Sequence, residues 1–372
     1  MTLPKRAEVV VIGGGAMGTA TGYYLTKNGI KDVVLLERES LLSGSTGRCA
    51  GGFRQQFPTR PECQLAKESI DIIKTLQEEL DYDFERCFGG YLVLSYTEEH
   101  AADAKKKIAM QQELGIPVVW KTPDQIGVMA PWLNRDEGFV GAAWCPTDGT
   151  LNPFKFVFAF AEAFKRNGGQ IYTHTPVVDI KKNGTGWRVI TPEGEIECEV
   201  LVNCTGAYSA AIGKMIDHPI PVVGLAREKI ITEPVKFFQT FLCNSPLHTL
   251  HFSQTKHGSF LMSCANMSIK QRGDFKNTWR FTQETADAVR RLVPCLAKVK
   301  ILRQWAGFYE TTPDGKPFIG KIDGQENYWQ TLGYNGHGMM LAPAAGRAVA
   351  DEIAGKPVPE WYDTFKMSRV EK

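Results

Sequence analysis

Hydrophobic residues run without a break through Val9, Val10, Val11 and Ile12, and the pattern returns in Asp32-Val-Val-Leu-Leu36. Unbroken apolar runs of this length mark strands buried on both faces of a parallel sheet. Between them, residues 19–28 read as a helix stopped by Gly29, so the chain opens on a strand–helix–strand unit. Residues 154–167 form a second apolar-rich helical stretch, ended by Gly168-Gly169. Residues 177–180 and 187–190 read as strands around Asn183-Gly184, a hairpin-turn pair. Leu201-Val-Asn-Cys-Thr-Gly206 reads as a buried strand running into a turn, and residues 282–292 and 341–353 as helices. Strands alternating with helices in this way predict an α/β fold.

The link between the first strand and helix is Gly13-Gly-Gly15-Ala16-Met17-Gly18. In a dinucleotide-binding turn each glycine has a task. Gly13 permits the tight turn, Gly15 lets a pyrophosphate approach the backbone, and Gly18 lets the helix pack closely on the strand. The helix start, with Ala16 and Met17, offers free N–H groups and a partial positive charge to phosphates. Glu37 closes the second strand about 20 residues after the last glycine, where a carboxylate can bind ribose hydroxyls. Glycine loops are common, but strand, glycines, helix, strand and terminal acid in order predict a bound dinucleotide.

Charge and cysteine usage narrow the function classes. A formal charge of +2 gives no basic field for nucleic acid, and no acidic tail appears. The first apolar run is too short for a membrane span. The 9 cysteines form no C-x-x-C pair, so a zinc site or thioredoxin-like motif has no support. Unpaired cysteines inside apolar runs predict a reducing, cytoplasmic setting.

After the second strand comes Leu42-Ser-Gly-Ser45-Thr46-Gly-Arg48-Cys49-Ala50-Gly51-Gly52-Phe-Arg54, rich in small residues and hydroxyls. Here the chain resembles the D-amino-acid oxidase superfamily of FAD-dependent oxidoreductases, closest to its sarcosine oxidase and proline dehydrogenase β-subunit type. In that group the loop matching residues 44–52 runs along the pyrophosphate and flavin, with Arg38 beside it. Gly169-Gln-Ile-Tyr-Thr-His-Thr-Pro-Val177 resembles its strand whose final valine meets the adenine. Thr205-Gly206 resembles its second dinucleotide turn. Asp314-Gly-Lys-Pro-Phe-Ile-Gly320 and Gly333-Tyr-Asn-Gly336-His337-Gly338-Met339-Met340-Leu-Ala-Pro343 resemble its C-terminal flavin signature. The resemblance implies noncovalent FAD: monomeric sarcosine oxidases attach flavin through a cysteine near Gly307, and no cysteine follows Cys295. It also implies a Rossmann-like FAD-binding unit over 1–84, 146–219 and 317–372, and an α+β substrate unit on an antiparallel sheet over 85–145 and 220–316.

The same resemblance supplies site expectations. Arg54 matches the arginine that holds a substrate carboxylate in sarcosine oxidases, a role suited to the guanidinium fork. Tyr309 stands where glycine oxidases carry an arginine, and Met340 where sarcosine oxidases carry a lysine. His337 is expected beside the flavin, and His257 as a lining of the substrate pocket. Sarcosine-type oxidases hold a lysine over the flavin for oxygen, yet the matching run, residues 258–263, has none; Lys256 and Lys270 fall outside it. The expectation is therefore a dehydrogenase that oxidises the C–N bond of a small amino or imino acid (proline, hydroxyproline or a sarcosine-like compound) by hydride transfer to flavin N5. Gly52-Phe-Arg-Gln-Gln-Phe57, the run from Arg303 to Tyr309 and Pro359-Glu-Trp-Tyr-Asp363 resemble proline dehydrogenase β-subunits, which implies partner subunits that carry electrons onward. Two other readings stay open: an oxygen-using glycine, D-amino-acid or sarcosine oxidase, and a noncatalytic FAD-bearing electron-transfer subunit.

Overall fold

The first strand, Arg6–Ile12, lies at the heart of a mixed eight-stranded sheet with Val9, Val10 and Val11 fully buried. We describe the chain from a computed structural model, over residues 2–264 and 274–370. Lys270, and the part of the expected substrate unit around it, fall outside the described residues. Parallel neighbours flank the first strand: Val33–Leu36 on one side and Gly194–Asn203 on the other. Gln170–Tyr172 extends the sheet beyond the first, and Tyr328–Leu332 beyond the second, with Phe318–Lys321 antiparallel at the edge. The hairpin Asp179–Asn183 and Gly186–Thr191 pairs with the early half of Gly194–Asn203.

Register decides where chemistry gathers. Ile12 pairs with both Leu36 and Asn203, Leu36 with Tyr172, and Asn203 with Gln330. The carboxyl ends of four strands therefore finish level and the fifth, Tyr328–Leu332, runs two residues beyond, so Gly13, Glu37, Thr173, Cys204 and Gly333 leave the sheet along one edge. In open α/β sheets that edge is where ligands bind.

Two helices behind this edge pack closely because glycines remove side chains between them. Helix Ala16–Lys27 lies on helix Gly338–Ile353, where a Cβ on Gly346 would sit 2.9 Å from the Thr21 amide. Ser69, fully buried on helix Arg60–Leu80, donates to the Met340 carbonyl (2.8 Å) and accepts from the Ala344 amide (3.3 Å). It bridges the rung next to Pro343, which lacks an N–H, and pins the start of that helix.

A second eight-stranded sheet stands over the edge. Its order runs Ile301–Thr311, Val223–Thr232, Phe260–Cys264, Leu250–Gln254, Leu242–Ser245, Tyr91–Ser95, Gly141–Cys145, Val119–Lys121. All its pairs are antiparallel except Leu242–Ser245 with Tyr91–Ser95. Helix Trp279–Leu292 packs on it, capped by Thr278. Among the described residues no helix is long and apolar enough to cross a membrane.

Several boundaries differ from the sequence reading, among them the helix read over 282–292, which begins at Trp279. The helices begin earlier than expected, at Ala16 and Gly338, because each glycine turn passes directly into helix. The strand expected from residue 177 begins two residues later and runs on, as Asp179–Asn183. The preceding stretch instead follows the loop after the second strand, with the His174 amide donating to the Glu39 carbonyl and the Thr175 amide to the Glu37 carbonyl. Val177 accordingly lies in a loop rather than at a strand's end.

Candidate functional site

The turns at the sheet edge and the face of the second sheet enclose a cavity of about 490 Å³. Its lower half is built on the glycine turn. Gly13 has φ +114°, and a Cβ there would lie 2.5 Å from the Cys204 carbonyl oxygen. Gly18 does not line the cavity; a Cβ on it would stand 1.8 Å from the Gly13 carbonyl oxygen, so it allows the helix to touch the strand turn. The N-cap of helix Ala16–Lys27 is Gly15, which has no side chain to close the helix start. Thr46 accepts the Ala16 amide at 3.2 Å, and the first-turn N–H groups beyond it face the cavity that Ala16 and Met17 line.

Glu37 is nearly buried at the end of its strand, accepting the Gly14 amide at 2.7 Å and the Glu39 amide at 2.9 Å. Arg38 stacks on the Tyr208 ring at 3.8 Å, and Val177, Thr205 and Gly206 close this end. The loop holding Ser45, Thr46, Arg48, Cys49, Ala50, Gly51 and Gly52 runs along the cavity wall. Arg48 ties it down by donating to the Ser43 and Gly44 carbonyls, and Trp305 donates to the Arg48 carbonyl at 3.0 Å. Gly307 lies so near that a Cβ would meet the Arg48 Cβ at 2.8 Å.

The turn before helix Gly338–Ile353 forms the opposite wall. Gly336 has φ +89° and lies flat against the Tyr309 ring, and no side chain caps the helix, so the amides at its start stay open toward the Met339 and Met340 wall. A dipole of this sense stabilises negative charge developing on a bound ligand.

Arg54 and His337 meet in the upper half. The Arg54 guanidinium donates to the Gln56 carbonyl at 2.9 Å and lies 2.9 Å from His337 Nε2. It also packs over the rings of Phe57 and Tyr91. Removal from water, and then the Arg54 charge, pull the His337 pKa down to about 3. His337 is therefore neutral, accepts from Arg54 on Nε2, and carries its proton on Nδ1. His257 is not part of this site. It is exposed in the turn joining Leu250–Gln254 to Phe260–Cys264, where the Gly258 amide closes on the Thr255 carbonyl. Lys256 beside it pairs with Glu85 at 2.9 Å.

The structure adds three residues the sequence reading missed. Asp148 is fully buried without a cation and accepts the Gln55 amide at 2.9 Å and the Gln56 side chain at 3.0 Å. It thus fixes the loop whose Gln56 carbonyl holds Arg54. Burial pushes its pKa up to about 6. Glu310 lines the cavity, accepts the Gly333 amide at 3.1 Å, and has its pKa pushed to about 7 by burial. Lys229, only 6% exposed, lines the upper half from strand Val223–Thr232. The expected run indeed holds no lysine, but its neighbouring strand supplies one. A period of 2 in Arg227-Glu-Lys229 turns both cations to one face and Glu228 to the other, a signal present in the sequence. For Asp148 and Glu310 no local pattern exists.

Loss of the Asp148 acceptor should loosen Arg54. Asp148→Ala is expected to raise KM about tenfold with a much smaller change in kcat, since a lost buried hydrogen-bond acceptor costs on the order of 1–3 kcal/mol. In the unsubstituted protein the same rise should appear as pH falls through about 6 and the carboxylate is protonated. Steady-state kinetics from pH 5 to 8, values bracketing that titration, check both; a KM flat across it and unchanged in the variant would rule this role out.

A family model described as "DAO: FAD dependent oxidoreductase" matches residues 8–352. Human mitochondrial sarcosine dehydrogenase is 30% identical over 379 residues, spanning 97% of this chain but 41% of that protein. The chain thus covers less than half of that relative. Sarcosine oxidase subunit beta of an Arthrobacter species is 27% identical over 384 residues, spanning 99% of this chain and 92% of its own length. Among solved structures, L-proline dehydrogenase from P. horikoshii superposes with a TM-score of 0.93 and 34% identity, covering 99% of both chains.

Proposed function

The chain belongs to the DAO family of FAD dependent oxidoreductases, and from that premise we propose that it is a dehydrogenase oxidising the C–N bond of a small amino or imino acid. Proline, hydroxyproline and N-methylglycine are the substrate types in view. The observation that carries the reading is Arg54, oriented by Gln56 and neutral His337 in the same cavity as the glycine turns.

The lower half suits FAD. The open helix start at Ala16 and Met17 would hold the pyrophosphate, Glu37 the ribose, and residues 44–52 with Gly336, Gly338, Met339 and Met340 the flavin end. FAD, when bound, supplies the two-electron acceptor. Division into a cofactor unit (1–84, 146–219, 317–372) and a substrate unit (85–145, 220–316) is part of the proposal, supported by the strands of each sheet falling within one set of segments.

The chain's own residues bind and orient the substrate. Arg54 grips the carboxylate with parallel hydrogen bonds, which fixes the adjacent carbon as well as the charge. Tyr309, against Gly336, narrows the space in which the amine sits. The bound amine loses a C–H hydrogen with its electron pair and a nitrogen proton, and leaves as the imine. Holding donor and acceptor in reacting geometry supplies much of the rate. Lys229 in the upper half removes the ground for setting oxygen aside as acceptor, so both acceptors enter the test. The "subunit beta" in the name of one relative supports partner subunits here.

The experiment supplies an artificial electron acceptor, traps the carbonyl or cyclic imine product from each amino acid, and assays peroxide in air. Imine formation coupled to the artificial acceptor, with little peroxide, is the expected result. Stoichiometric peroxide would replace the dehydrogenase with an oxidase, and no product from any compound would leave an electron-transfer subunit.

A further inference from the structure

The upper half of the cavity holds more positive charge than one carboxylate neutralises. Lys229 is 6% exposed, and among the described residues it makes no hydrogen bond or ion pair. Its ammonium opens only on the enclosed cavity, where little water can solvate it and a bound anion would complete it. The acids lining the cavity are Glu37 and Glu310. Glu37 belongs to the sheet edge, held by two backbone amides. Glu310 pairs with Gly224 while Lys229 pairs with Trp305, five ladder positions apart or about 17 Å along the strand. The odd spacing also turns Glu310 to the other face. Neither is placed to neutralise Lys229.

Lys229 and Arg54 share a neighbour. The positive charges of both, after removal from water, hold the His251 pKa down to about 3. A neutral imidazole therefore lines the same cavity within reach of both charges, able to donate to one bound anion and accept from an amine.

We propose that Lys229 forms a second anion subsite, so that the preferred substrate is an amino acid carrying a further carboxylate beyond the one Arg54 holds. This rests on the amine-oxidising reading above and deepens it. The substrates in this class are N-carboxymethyl amines and acidic amino acids. The bond oxidised is the same, with the second carboxylate placed against Lys229.

The test uses flavin-loaded protein and two thioethers, (methylthio)acetate and thiodiacetate. Sulfur replaces the amine nitrogen, so both bind without turnover, and binding is read from the change in the flavin visible spectrum. The dicarboxylate should bind about tenfold tighter or more, the effect of one charge-assisted hydrogen bond. Lys229→Met should bring it down to the monocarboxylate's affinity, and Lys229→Arg should keep the preference. Equal binding of the two compounds, or a preference that survives Lys229→Met, overturns the subsite while leaving Arg54 in place. If Arg54→Met weakens neither compound, the reading beneath it falls instead.

Discussion

Arg54→Met should lower kcat/KM by roughly a hundred- to a thousandfold while the protein stays folded and yellow. A carboxylate held by two parallel charge-assisted hydrogen bonds loses on the order of 3–4 kcal/mol when the guanidinium is removed. Methionine keeps much of the apolar stem and loses only the guanidinium that lies over Phe57 and Tyr91, so the change removes charge more than volume. His337 also loses its partner at 2.9 Å, and its ring is free to turn, which adds a loss of orientation. Rapid-mixing measurement of flavin reduction by the best substrate separates the effects. Affinity should fall most and the limiting rate less. Unchanged affinity and rate in a flavin-loaded variant would remove Arg54 from the site.

Gly18→Ala should yield protein without flavin. The added carbon would stand 1.8 Å from the Gly13 carbonyl oxygen, a backbone atom that cannot rotate aside. The helix start must then lift from the strand turn, carrying Ala16 and Met17 away from the phosphate position. Gly29→Ala is the control. Its φ of +89° is strained for alanine, costing on the order of 1–2 kcal/mol, but nothing lies within 4 Å of the new atom. The ratio of visible to ultraviolet absorbance after purification reads the outcome, with far-ultraviolet circular dichroism reporting the fold. A Gly18→Ala protein as yellow as the control would contradict the packing role assigned to this glycine.

Much of the lower half of the cavity was legible in sequence because its requirements are local. Gly13, Gly15 and Gly18 recur at fixed spacing in one turn, and Glu37 stands at the end of an apolar strand. Residues 44–52 and 333–343 could be read by resemblance, since the first is a loop and the second a glycine turn entering a helix, both rich in small residues. The upper half was harder. Asp148 acts through Gln55 and Gln56, more than 90 positions away in the chain, and no spacing rule joins them. Lys229 reaches the cavity because its strand neighbours the one expected to carry a lysine, which is a fact of sheet order. His257 misled for the complementary reason: a polar residue near a strand end looks the same whether the turn faces the cavity or the solvent. The strand expected at 177–180 starts only at Asp179, because the chain just before it, at His174 and Thr175, is held by the Glu39 and Glu37 carbonyls.

The central claim is that this cavity removes electrons from a small amino or imino acid. Its most direct test is the visible spectrum of the purified, oxygen-free protein, recorded while monocarboxylic and dicarboxylic amino acids are added one at a time. The account predicts loss of the oxidised flavin band with at least one of them, and no such loss in Arg54→Met under the same conditions. A yellow protein whose band survives every compound would contradict it.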